Sequence, residues 1–130
     1  MTSAAGLPSV KGIGVDAVDV ERFRTSLART PSMRTRLFTA EELAYVAPKV
    51  DPVPSLAARF AAREAVMKAM GLGLGAFGFH DVWVTRDASG SPRLMVAGRA
   101  LELAVDRGIT RWHLSLTHTE LVAIAQVVAE

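Results

Sequence analysis

The stretch between Ser55 and Gly71 constrains this 130-residue chain more than any other. Ser55 can open a helix, Gly71 can end one, and nothing between them breaks the pattern. The spacing predicts a helix over Leu56 to Met70. At about 100° per residue, Leu56, Phe60, Val66, Met67 and Met70 fall within roughly 120° of arc, a buried stripe. Arg63 lies inside that stripe and Arg59 lies one turn before it. A charge buried without a partner is expensive, so Arg63 must snorkel to water or meet an anion. Glu64 and Lys68 sit i,i+4 on the stripe's edge. They are either a surface ion pair worth about 0.2–0.5 kcal/mol, or a carboxylate for a metal with cations for an anionic ligand.

Shorter units surround this helix. Gly12 to Asp16 reads as a strand ending in an acid. Asp19 caps a helix over Val20 to Arg29, and Pro31 breaks it. Thr39 with Glu42 gives the capping-box pattern for a helix over Ala40 to Ala47. Pro48, Pro52 and Pro54 make a loop. Strands over Asp81 to Arg86 and Arg93 to Val96 are joined by a turn at Asp87 to Gly90. Ala97 to Arg107 is helical and stops at Gly108. Trp112 to Thr117 and Leu121 to Val128 are the last strands. The order β-α-α-α-β-β-α-β-β pairs its strands. It therefore favours an α+β fold, a mostly antiparallel sheet packed on the long helix.

At 13.9 kDa the chain is one domain, residues 11–130, behind a flexible tail over residues 1–10. Half of the residues are hydrophobic and mean hydropathy is +0.26, which points to apolar surface buried between subunits. The absence of cysteine excludes disulfide scaffolds, thiolate nucleophiles and Cys-based zinc sites. A net charge of +2 does not argue for nucleic acid, since Asp and Glu nearly balance the basic residues, and no nucleic-acid partner is expected. No segment reads as a signal peptide or a bilayer span, so no membrane partner and a cytoplasmic location are expected.

Three further features carry chemistry. Asp16 is either a turn acid or, with Glu64 from a distant segment, a candidate to share a hard cation such as Mg²⁺, although spacing alone cannot show that the two meet. His113, Ser115 and Thr117 line one face of a strand, which is either a polar side facing water or a row of donors for phosphate oxygens. His118 stands at its end. Five arginines between Arg22 and Arg36, with no acid among them and with Met33, Leu37 and Phe38 interleaved, suit either a solvated face or a docking surface for an acidic protein. The glycines at 71, 73 and 75 follow a helix, so they read as a C-cap and loop and not as a phosphate cradle.

The segments Gly12-Ile-Gly-Val-Asp16, Phe38-Thr-Ala-Glu-Glu-Leu43, Leu56-Ala-Ala-Arg-Phe-Ala-Ala-Arg-Glu-Ala-Val-Met-Lys-Ala69 and His113-Leu-Ser-Leu-Thr-His118 together resemble the holo-acyl-carrier-protein synthases. These are the short, trimeric group of the 4'-phosphopantetheinyl transferases. The resemblance covers nearly the whole chain past the tail. It implies transfer of the 4'-phosphopantetheine arm of coenzyme A to a carrier-protein serine, with release of adenosine 3',5'-bisphosphate, for fatty acid or polyketide biosynthesis. It makes Asp16 and Glu64 the Mg²⁺ ligands and Lys68 a neutraliser of the diphosphate. Arg59, Arg63, His113, Ser115 and Thr117 become coenzyme A contacts, with the loop at Ser89, Gly90 and Pro92 near the nucleotide. Coenzyme A would bind between subunits of a homotrimer. The carrier would dock on Arg22, Arg24, Arg29, Met33 and Phe38. Glu42 or Glu41, through a water, and His118 are the candidates for the base. The family's helix motif usually reads Lys-Glu-Ala, and here it is Arg63-Glu64-Ala65. Thr119 stands where an acid or serine often follows the last His. A non-catalytic module binding acidic proteins and a trimerisation domain are the rival readings.

Overall fold

In the computed structural model, which describes residues 9–130, strand β1 (Gly12–Asp19) lies directly on the long helix α4 (Val53–Ala69). The sequence permits this approach. A Cβ built on Gly12 would stand 1.8 Å from the Ala69 carbonyl oxygen, and one on Gly14 would stand 1.8 Å from that of Ala65. Only glycine fits at either place. Gly12, Gly14 and Asp16 alternate onto the same face of the strand, so the contact that needs the glycines also carries Asp16 to the helix. Residues 1–8 of the expected tail lie outside the described residues, and Ser9 and Val10 are exposed.

The sheet has the order β1-β5-β4 and is antiparallel throughout, with β4 at Trp112–His118 and β5 at Val122–Ala129. Its inner face is mostly small. Ala125, Val127 and Ala129 pack with Ala61, Ala62, Ala65 and Ala69 of α4 in one buried cluster. Alanine on both sides lets the helix sit close, and α4 is covered nearly all round, not along the narrow stripe its periodicity suggests. Helix α4 also starts earlier than expected, with Pro54 in its first turn, where a missing N–H costs nothing.

Helices α1 (Val20–Arg29), α2 (Met33–Leu37) and α3 (Ala40–Val46) cover the first half of α4. Asp19 caps α1 as expected, accepting from Arg22 N at 2.8 Å, and Thr39 with Glu42 forms the full capping box on α3. Short α2 is not anticipated by the sequence pattern. Val20, Phe23, Leu27, Leu37, Phe38, Val46 and Leu56 make a second core there, joined by edge and tilted contacts among Phe23, Phe38, Phe60 and Phe79. The ribbon of β2 (Val82–Arg86) and β3 (Pro92–Val96) follows a 3₁₀ turn at Phe79–Asp81. Helix α5 (Gly98–Asp106) drops Ala100 and Ala104 into the first core. The α+β class and the antiparallel sheet on a long helix are as the sequence implies. Among the described residues no helix is long and apolar enough to cross a membrane.

Candidate functional site

The end of β1, the start of α1 and the middle of α4 enclose a groove of about 320 Å³. Asp16, Asp19 and Glu64 bring carboxylates to it, Arg22 brings a cation, and Phe23 and Phe60 form its apolar floor. Asp16 and Glu64 therefore meet in one place, as the sequence alone could not show. Lys68, one helical turn beyond Glu64, donates to Asp16 Oδ1 at 2.9 Å and to the Val15 carbonyl at 3.1 Å. Partial burial pushes the Glu64 carboxyl above its ordinary value, the nearby Asp16 charge pushes it further, and Lys68 partly offsets both. A carboxylate that resists ionising beside a second one fits a hard divalent cation, which takes one or two protein carboxylates and completes its shell with water and phosphate oxygens. Among the described residues no three metal-ligating side chains converge, consistent with so open a site.

Arg63 meets its anion. Its Nη2 donates to Glu42 Oε1 at 2.5 Å, its Nη1 to Glu42 Oε2 at 3.0 Å, and its Nε to the Phe79 carbonyl at 2.8 Å. Both side chains are wholly buried. The same carboxylate accepts from Thr39 N and Val84 N. This corrects two expectations: Glu42 has no free oxygen to act as a base on a substrate, and Arg63 has no surface on which to touch coenzyme A. The sequence marks Glu42 as half of a capping box. It gives no sign that the rest of its charge serves a residue far along the chain.

Arg59 is 1% exposed. Its Nη1 donates to the Ser55 carbonyl at 3.2 Å, and its buried Nε has no partner among the described residues. Burial depresses its pKa, and the charge of Glu42, which makes no hydrogen bond to it, only partly offsets that cost. The guanidinium lies over the Tyr45 ring at 4.6 Å, with Arg86 and Lys49 each 5.2 Å from the same ring centre. Glu41, Thr85 and Val84 complete this cleft of about 160 Å³. Sequence reasoning misses Tyr45, Lys49 and Arg86, because nothing in their spacing links them to Arg59.

The outer face of β4 presents His113, Ser115 and Thr117 to solvent. His113 bonds Glu130 Oε1 at 2.5 Å, and that hydrogen bond holds the Glu130 carboxyl below its ordinary range. A third cleft, about 350 Å³, runs between β3 and β4 and brings Pro92 and Arg93 to His113. Ser89 and Gly90 form the nearby turn, where Ser89 Oγ donates to Asp87 at 2.6 Å. His118 is exposed at the end of β4, level with Ala123 and Val18 across the sheet.

On the basic stretch, Arg22 and Arg29 are exposed along one flank of α1, next to the acidic groove. Arg24 is not free for a partner: it forks onto Asp51 at 2.9 and 2.8 Å and also bonds Glu21. Phe38 is 1% exposed, beneath the Arg63 guanidinium, so its expected role in docking is corrected to a core role. Met33 is half-buried against the second core.

A helix laid on an antiparallel sheet, with two acids meeting at the glycine-bearing strand, defines a recognisable class. The chain belongs to the 4'-phosphopantetheinyl transferase superfamily, whose family model matches residues 12–125. It is similar to the holo-[acyl-carrier-protein] synthase of Frankia casuarinae, at 48% identity over 122 residues, 94% of this chain and 98% of that one. The crystal structure of the Neisseria meningitidis holo-[acyl-carrier-protein] synthase superposes with a TM-score of 0.85 at 35% identity, over 94% of this chain and 99% of that one. That of the Bacillus anthracis synthase in complex with CoA (3',5'-ADP) gives 0.77 at 30% identity, over 92% and 96%.

Proposed function

We propose that this chain is a cytoplasmic enzyme that moves the 4'-phosphopantetheine arm of coenzyme A to a serine hydroxyl of an acyl carrier protein, releasing adenosine 3',5'-bisphosphate. The observation that carries the reading is the meeting of Asp16 and Glu64 in one open groove beside Lys68. A binding module has no need of two carboxylates held together against their own repulsion. Asp16 and Glu64 would hold a divalent cation, Mg²⁺, which would supply positive charge to neutralise the diphosphate oxygens.

The chain's own residues do the rest. The Lys68 ammonium, more than half exposed, sits at the groove edge and faces the negative charge that builds there. Arg59, with its unpaired Nε, receives an anionic group of coenzyme A. With Glu42 committed to Arg63, Glu41 and His118, both exposed, are the two groups left to take the serine proton. Arg22 and Arg29 meet the acidic carrier beside the groove. Ile13 and Val15 leave an exposed apolar row on the outer face of β1. A second and third copy cover it in a homotrimer, so that the acidic groove of one subunit is completed by the Ser89–Pro92 turn and the His113–Thr117 face of another.

The test is incubation with coenzyme A, Mg²⁺ and an apo carrier protein, read by intact mass. The expected result is the gain of one phosphopantetheine arm per carrier. No gain on any acyl carrier protein, at a concentration where the protein sediments as a trimer, overturns the reading.

A further inference from the structure

The ion pair at the centre of the molecule is tied to more of the fold than its own burial requires. A fully buried pair is seldom more stabilising than apolar residues of the same volume, so what it fixes matters more than its energy. Glu42 accepts five hydrogen bonds: from Thr39 N and Oγ1, from both terminal nitrogens of Arg63, and from Val84 N. Arg63 also donates to the Phe79 and Arg59 carbonyls. The pair thereby bolts the first turn of α3 and the middle of β2 to α4. Those three elements are the walls of the Arg59 cleft: Glu41 and Tyr45 come from α3, Val84 to Arg86 from β2, and Arg59 itself from α4. The backbone carbonyl of Arg59 receives one of the Arg63 bonds, while its side-chain Nε is buried and unpaired. A buried donor without a partner, in a cleft with a second arginine, is the mark of an anion site.

We propose that Glu42 and Arg63 are positioning residues for the anionic end of coenzyme A. They touch no substrate. They set the distance between Arg59 on α4 and the Tyr45 and Arg86 walls, and so the fit of the phosphate that enters. The proposal rests on the reading of Arg59 as a coenzyme A contact. It also gives a reason for arginine where the family motif usually carries lysine. A planar fork grips both carboxylate oxygens and two carbonyls at once, and a single ammonium nitrogen cannot.

Steady-state constants for coenzyme A and for the carrier, with calorimetric binding of adenosine 3',5'-bisphosphate, test this in Arg63→Lys and Glu42→Gln. Both variants should raise the KM for coenzyme A and the Kd for the bisphosphate, each roughly tenfold, the scale seen when an outer partner of a ligating group is lost. Neither kcat nor the KM for the carrier should move. Arg59→Ala is the reference. If it leaves both coenzyme A constants unchanged, the reading of the cleft fails and takes the proposal with it. If it raises them while Arg63→Lys and folded Glu42→Gln do not, the cleft reading stands and the positioning role is overturned. A fall in kcat with every KM unchanged also overturns it, since that is only a loss of folded enzyme. Should Glu42→Gln fail to fold, Arg63→Lys, which keeps the charge, decides alone.

Discussion

Glu64 is half-buried beside Asp16 with its carboxyl pushed above the ordinary range, so the folded protein holds its proton more tightly than the unfolded chain does. The ionised form therefore opposes folding, and stability falls as pH rises through the raised value. Glu64→Gln should leave the melting temperature of the metal-free protein at neutral pH unchanged or higher. It should cut transfer by about 100-fold or more, the scale of several kcal/mol of lost charge stabilisation. Glu130 behaves oppositely. Its hydrogen bond to His113 lowers its carboxyl, so its stabilisation is complete above the ordinary carboxylate value and is lost as pH falls through the lowered one. Melting temperatures below about pH 4 should fall less steeply in Glu130→Gln than in the parent. At this scale the sequence is informative where a residue has an unmet need. Arg63 in an apolar stripe demands an anion and has one. Glu42 and Phe38 mislead for a shared reason: each looks available because its partner lies in another element.

Strand β1 and helix α4 touch backbone to backbone, and that contact sets the distance between Asp16 and Glu64. A methyl on Gly14 cannot fit against the Ala65 carbonyl without moving the strand. Gly14→Ala should cost about 1–3 kcal/mol in a denaturant titration, and more if the strand cannot relax. It should also lower transfer beyond the loss of folded protein, because Asp16 leaves the helix. Loss of stability with full specific activity would mean that the glycines serve packing only. Helices α1 and α3 are legible from their caps, and the β2–β3 turn from Asp87 and Gly90. Helix α2 is not, because five residues hold too little periodicity to register. The breadth of burial on α4 is hidden too: its alanines carry almost no signal in a hydrophobic pattern, yet they are what allow the sheet to sit close.

Across the whole molecule, exposed charge on α1 lies next to the acidic groove, and the apolar row of β1 lies behind it. Rim charges mainly set association rates, and salt screens them over a Debye length of about 10 Å at 0.1 M. The variant Arg29→Glu, which lies outside the acidic groove, should raise the KM for the carrier and flatten its salt dependence, with the KM for coenzyme A unchanged. The opposite pattern would move the basic stretch to the nucleotide. Fold class and the order of every element but α2 are legible in the amino-acid sequence, because local capping, turn chemistry and a specific helix motif all agree, while the approach of Asp16 to Glu64 is not. The division of the surface into an acidic groove, an Arg59 cleft and a β3–β4 cleft is not, since it depends on which strands neighbour which. In the proposed reaction Asp16 and Glu64 act as one cation site. Mn²⁺ accepts the same oxygen ligands as Mg²⁺ and can be counted by electron paramagnetic resonance. With coenzyme A present, the protein should take up one Mn²⁺ per chain, and Asp16→Asn and Glu64→Gln should each abolish that uptake. Equal Mn²⁺ binding by the two folded variants would contradict the account.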